Sequence, residues 1–140
     1  MASYNKIEIF VEDLAEGIHD LDTDQLRVAL TTNANAPVAT DDVLADVTEI
    51  DYSNIVENRN ITLGSSIHAS GTYKLVLDDV VLTASGAVAT FRHVLIYNDG
   101  TVGKVNPLIA WYDHGSDVTL ANGETFTIDF DAANGFFQLV

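Results

Sequence analysis

The chain contains no cysteine. Disulfides, thiolate metal sites and cysteine nucleophiles are therefore excluded, and stability has to come from packing and the backbone hydrogen-bond ladder. Basic residues are also scarce: six, against 21 acidic ones, for a formal charge of -15. They are Lys6, Arg27, Arg59, Lys74, Arg92 and Lys104, scattered with no run among them. A surface of this sign repels phosphate backbones and anionic lipid head groups, so neither nucleic acid nor a membrane is expected as a partner. No apolar run approaches the length of a membrane span. A secretory signal needs a basic start and an unbroken apolar stretch, and Glu8, Glu12 and Asp13 interrupt this N-terminus. The expectation is synthesis in the cytoplasm with no anchor.

The usual catalytic signatures are missing too. There is no G-x-S-x-G elbow, no Gly-rich phosphate loop, and no H-E-x-x-H spacing among His19, His68, His93 and His114. Asp113-His114-Gly115-Ser116-Asp117 holds the residue types of a serine triad, but triads converge from separate elements and neighbours in one turn rarely supply that geometry. Asp20, Asp22 and Asp24 alternate like the start of a calcium loop. Such a loop needs glycine at its sixth position and glutamate at its twelfth. Those positions hold Gln25 and Thr31, so the stretch reads as an acidic connector. No catalytic, cofactor-binding or metal-binding residue is assigned. Paired carboxylates of the glycosidase kind are a matter of distance in space, on which sequence is silent.

What is present is a hydrophobic fraction of 47% in 140 residues, enough for a single domain, residues 1–140, with its own core. Residues 1–17 read as a helix: Ile7, Phe10, Leu14 and Ile18 form one apolar stripe, Ser3 or Asn5 can cap it, and Gly17 can end it. Gln25 to Thr31 alternates as a half-buried strand. Thr40 is placed to cap a helical turn starting at Asp41-Asp42, with Val43, Leu44 and Val47 inward, and Val47 to Tyr52 reads as a strand. Residues 53–70 suggest two weak or edge strands, with His68 on the surface.

From Thr72 the strand pattern is strong. Tyr73 to Leu77, Val80 to Ala84, Phe91 to Tyr97, Pro107 to Asp113, Glu124 to Phe130 and Phe136 to Val140 are separated by turn residues. Phe91 to Tyr97 is apolar on both faces and reads as a central strand. Trp111 reads as a core anchor, Asn122-Gly123 as a type I′ hairpin, and the apolar C-terminus as a paired and buried strand. The expected fold is all-β: a jelly-roll-like antiparallel β-sandwich of about eight strands with one N-terminal helix.

Several stretches together resemble a known class of protein. They include Phe10-Val11-Glu12-Asp13-Leu14, Leu26-Arg27-Val28-Ala29-Leu30-Thr31, Gly71-Thr72-Tyr73-Lys74-Leu75, Pro107-Leu108-Ile109-Ala110-Trp111-Tyr112-Asp113 and Gly123-Glu124-Thr125-Phe126-Thr127-Ile128-Asp129-Phe130-Asp131. In this order they resemble the cement, or decoration, proteins of tailed bacteriophages. That resemblance implies a β-sandwich on the outer capsid surface of the virion. It would bind as a dimer or trimer where subunits of the major capsid protein meet. The N-terminal segment and one sheet edge are the contacts expected for such a role. It brings no catalytic residues. The second expectation is a phage tail or fibre module binding a host-surface glycan, with Tyr97, Trp111, Tyr112 and Asp113 as candidate contacts.

Overall fold

A strand with one face in the core shows alternating apolar and polar side chains, as Thr125–Ile128 does, whereas a strand enclosed on both faces is apolar throughout, as Phe91–Asn98 nearly is. The computed structural model describes residues 2–140 and is an all-β fold with antiparallel pairing between its strands. The strands are β1 Ser3–Lys6, β2 Leu26–Thr31, β3 Leu63–Ala69, β4 Thr72–Leu77, β5 Val80–Thr83, β6 Phe91–Asn98, β7 Leu108–Val118, β8 Thr125–Ile128 and β9 Phe137–Leu139. One short helix, α1, spans Phe10–Ala15. The strands form a four-stranded sheet in the order β1-β7-β6-β2, a three-stranded sheet β3-β4-β9, and a two-stranded sheet β5-β8. One continuous apolar core joins them as an antiparallel sandwich. Among the described residues no helix is long and apolar enough to cross a membrane.

β6 lies inside its sheet and is buried along nearly its whole length, with Phe91, Leu95 and Ile96 fully enclosed. Each such side chain contributes about 1.5–3 kcal/mol through the water it leaves. β2 is buried on both faces, not half-buried as its alternation suggests. The segment from Glu49 to Ile61 runs along its outer edge: Ile50 N–H donates to Leu30, Val28 N–H to Arg59, and Ile61 N–H to Leu26. Arg59 holds this cover in place. Its guanidinium donates to the Val28 carbonyl (2.6 Å) and stacks 3.6 Å from the Tyr52 ring centre.

Asp78-Asp79 is where the chain leaves one sheet for another. The Asp79 carboxylate accepts the Phe130 N–H at 2.8 Å and so ties the crossing to the segment just after β8.

Several local expectations are corrected. The N-terminal helix is confined to Phe10–Ala15, because Ser3–Lys6 pair with Ala110–Asp113 of β7 instead. Neither Ser3 nor Asn5 caps the helix. The apolar stripe does face inward, with Ile7 and Phe10 fully buried, and Gly17 does sit after the last turn in the left-handed region (φ 77°). The turn near Thr40 becomes a 3-10 turn at Leu44–Asp46, where the Asp46 carboxylate accepts the N–H groups of Asp42 and Val43. Val47 to Tyr52 contributes a single bridge, Glu49 to Thr31, in place of a strand.

Asn122-Gly123 is a turn, with Gly123 at φ 86°, but it joins strands of different sheets and makes no hairpin. The type I′ hairpin is at Ser70-Gly71, where both residues have positive φ (50° and 84°) and Ala69 pairs with Thr72. His114-Gly115-Ser116 lies within β7 as an irregularity in its pairing with β6, not as a turn after it. The C-terminal strand is paired with β4 as expected, but it is not buried: Leu139 and Val140 are exposed.

Candidate functional site

Strand alternation places Val94 on β6, Tyr112 and His114 on β7, and Phe126 and Ile128 on β8 around one cleft of about 580 Å³. The aromatic rings meet edge to face: His114 lies 5.7 Å from Phe126, and Tyr112 lies 6.5 Å from Phe130. Ala2 reaches the same cleft, so the N-terminal segment borders it. Burial, and next to it the Tyr4 phenol, push the Tyr112 hydroxyl well above its ordinary pKa, which keeps it neutral.

Exposed Asp129 and Asp131 also line the cleft, and with Asp78 and Asp79 they line a second, shallower groove of about 520 Å³. Two of these four carboxylates already serve the backbone. Asp79 receives Phe130, and Asp131 receives the N–H groups of Asn134 and Ala133 together with the Asn134 amide, which lowers its pKa. Among the described residues no group of three or more His, Asp or Glu is disposed to hold a metal ion.

At the far end of β6 a polar cluster replaces apolar packing. Asn98 is fully buried. Its amide nitrogen reaches Asp24 (2.7 Å) and His19 Nδ1 (3.0 Å), and its oxygen accepts the Gly100 N–H. Burial pushes the His19 pKa down, against the pull of Asp13 and Asp24. Lys104 donates to Asp13 at 2.6 Å and pairs with Asp42 at 2.5 Å, and these bonds hold its pKa up although burial opposes its charge. These contacts fasten one loop to another, while the buried His19 Nε2 has no hydrogen-bond partner among the described residues.

The residues singled out by sequence are dispersed by the fold. Asp20 and Asp24 form a local turn: Asp24 accepts the Asp20 N–H, and Asp20 accepts the Asp22 N–H. The Asp113 carboxylate is taken by Arg92 (2.8 and 3.1 Å) and the Gly115 N–H, which lower its pKa to about 2. His114 Nδ1 faces both the Ser116 carbonyl (3.1 Å) and the Ser116 hydroxyl (3.4 Å), but Asp113 bonds Arg92 and Gly115 and not His114, so the three form no relay. Tyr97 is buried, Trp111 is half-buried, and of the four glycan candidates only Tyr112 lines the cleft. The cleft partners Phe126 and Phe130 were legible as one strand face. That they lie against Tyr112 was not.

The sheet edges differ in protection. β2 is covered by residues 49–61. β5 is partly covered, since Val56 N–H donates to Thr83 and the Glu57 carboxylate accepts the Thr83 N–H. β1 and β9 are four and three residues long. β3 is seven residues long, is half-buried or exposed throughout, and shows Ile67 at 62% exposure. Comparison with protein-family models, with curated proteins and with solved structures finds no match for the chain.

Proposed function

We propose that this protein is a structural component of a bacteriophage virion: a cement or decoration protein that binds the outer capsid surface where major capsid protein subunits meet. The observation that carries the reading is the contrast between a rigid single-core sandwich and an edge left unprotected, on a chain of charge -15. A protein that bridges seams in a shell needs stiffness, solubility before assembly, and a contact surface that can be repeated by symmetry. The negative surface suits a first encounter with a basic patch on the lattice, and makes that encounter weaker as salt rises. Self-association as a dimer or trimer belongs to the same reading, and no catalytic step does. Particles lacking the protein should gain heat resistance when purified protein is added back. Unchanged disruption temperature with the protein bound, or no binding, would sink the proposal.

The cleft favours a second reading, a tail- or fibre-associated module for a host-surface glycan. Tyr112, Phe126 and His114 supply ring faces and edges, and Asp129 and Asp131 supply acceptors for sugar hydroxyls. Glycan-array binding that is lost in Tyr112→Ala would favour it over the first.

A further inference from the structure

We propose that β3 is a self-pairing edge. Two copies of the chain lay their β3 strands antiparallel across a two-fold axis and join two three-stranded sheets into one of six strands.

Backbone geometry comes first. Antiparallel ladders alternate pairs that exchange hydrogen bonds with pairs that do not. The two-residue Ser70-Gly71 turn makes Ala69 and Thr72 a bonded pair. Ile67 and Ser65 then bond to β4, while Ser66 and His68 turn their N–H and C=O groups away from it. Among the described residues no backbone group takes these up. A second β3 centred on Ser66 meets them reciprocally, Ser66 against Ser66, with His68 toward the irregular Gly64 at the end of the ladder, which is what a two-fold contact requires.

Charge selects the occupant. No aspartate or glutamate occurs from Asn58 to Leu77, although the chain has 21. Two copies, each of charge -15, can therefore approach along β3 with no carboxylate on the pairing strand itself, Asp78 lying beside Gly64 at one end. Edge strands are ordinarily guarded by charges, proline, shortness or bulges, and β3 has one such irregularity, at Gly64 near its start. β3 has seven residues and contains no proline, Asp, Glu, Lys or Arg. Exposed Ile67 sits diagonal to its symmetry mate in this alignment and gains apolar contact there.

This contact specifies the self-association within the proposed function, yet its test needs no capsid, so either can fail while the other stands. Sedimentation of the purified full chain is expected to show a concentration-dependent dimer. The dimer should tighten with added salt, because like-charged copies repel, whereas docking on a basic surface should weaken. Ile67→Lys should weaken the dimer roughly tenfold or more. Ser66→Pro removes an outward N–H while leaving the β3–β4 backbone ladder in place, and should do likewise, with unchanged circular dichroism; Ser66→Ala, which loses only the Ser66–Tyr73 hydroxyl bond (2.9 Å), should keep the dimer. A monomer at every concentration overturns the proposal. So does a trimer, or a dimer indifferent to Ile67→Lys in a folded protein.

Discussion

The four-stranded and three-stranded sheets share one core and treat their borders in opposite ways. In the first, β2 is covered along its edge by residues 49–61, and β6 is enclosed on both faces. In the second, β3 faces solvent with its backbone unpaired on one side, and β9 supplies three residues, two of them exposed. Stability is concentrated in the sheet whose β2 edge is covered and whose other border, β1, is only four residues long. Availability is concentrated in the sheet whose loss of contact costs least. A building block that must be rigid yet associate needs both properties, and here they lie in different sheets.

The contrast can be broken most forcefully in the closed sheet. Phe91 is fully buried and meets the Phe126 ring at 5.1 Å. Phe91→Ala should cost about 3–5 kcal/mol in a denaturant titration, with the cleft side of β8 loosened as well. Next comes the polar end. Lys104→Met leaves the buried Asp13 carboxylate without its cation and should cost about 2–3 kcal/mol by the same measurement.

A smaller, titratable effect comes from His19 and His93. Burial lowers both pKa values below the ordinary 6.5, ahead of the opposing pull of nearby aspartates. The unfolded chain then takes up protons that the folded chain refuses. The stability margin is complete above pH 6.5 and is lost as pH falls through the depressed folded-state values. Melting temperature should decline on going from pH 7.5 to 5.5, and His19→Gln should flatten that decline. Asp113 acts in a lower window: its contribution is present above 3.8 and fades as pH falls toward about 2. At the bottom of the scale, Ile67→Ala in the open sheet should change monomer stability by no more than about 0.5 kcal/mol.

Strand content was legible because burial of one face writes period-two alternation into residues such as Phe126, Ile128 and Phe130, and two-sided burial writes the apolar run of β6. What stayed hidden depends on partners distant in sequence. Nothing near Ser3–Lys6 announces a strand, since its pairing is supplied by Ala110–Asp113. Asn122-Gly123 and Ser70-Gly71 are both turn dipeptides, and only the strands that flank them decide which closes a hairpin. The cluster at Asn98 joins residues 79 and 74 positions away, so no local spacing could reveal it. The Tyr112 cleft is hidden for the same reason.

The pairing of β1 with β7 also bears on how the molecule is made. During synthesis the first strand leaves the ribosome long before its partner exists, and Tyr4 has no ring from Tyr112 or Phe136 to rest on until those residues emerge. The order of translation is thus nearly the reverse of the order in which this sheet border can close. A topology so rich in distant pairings folds on the slow, millisecond-to-second scale of β-sandwiches, and the nascent N-terminal segment spends that interval uncommitted.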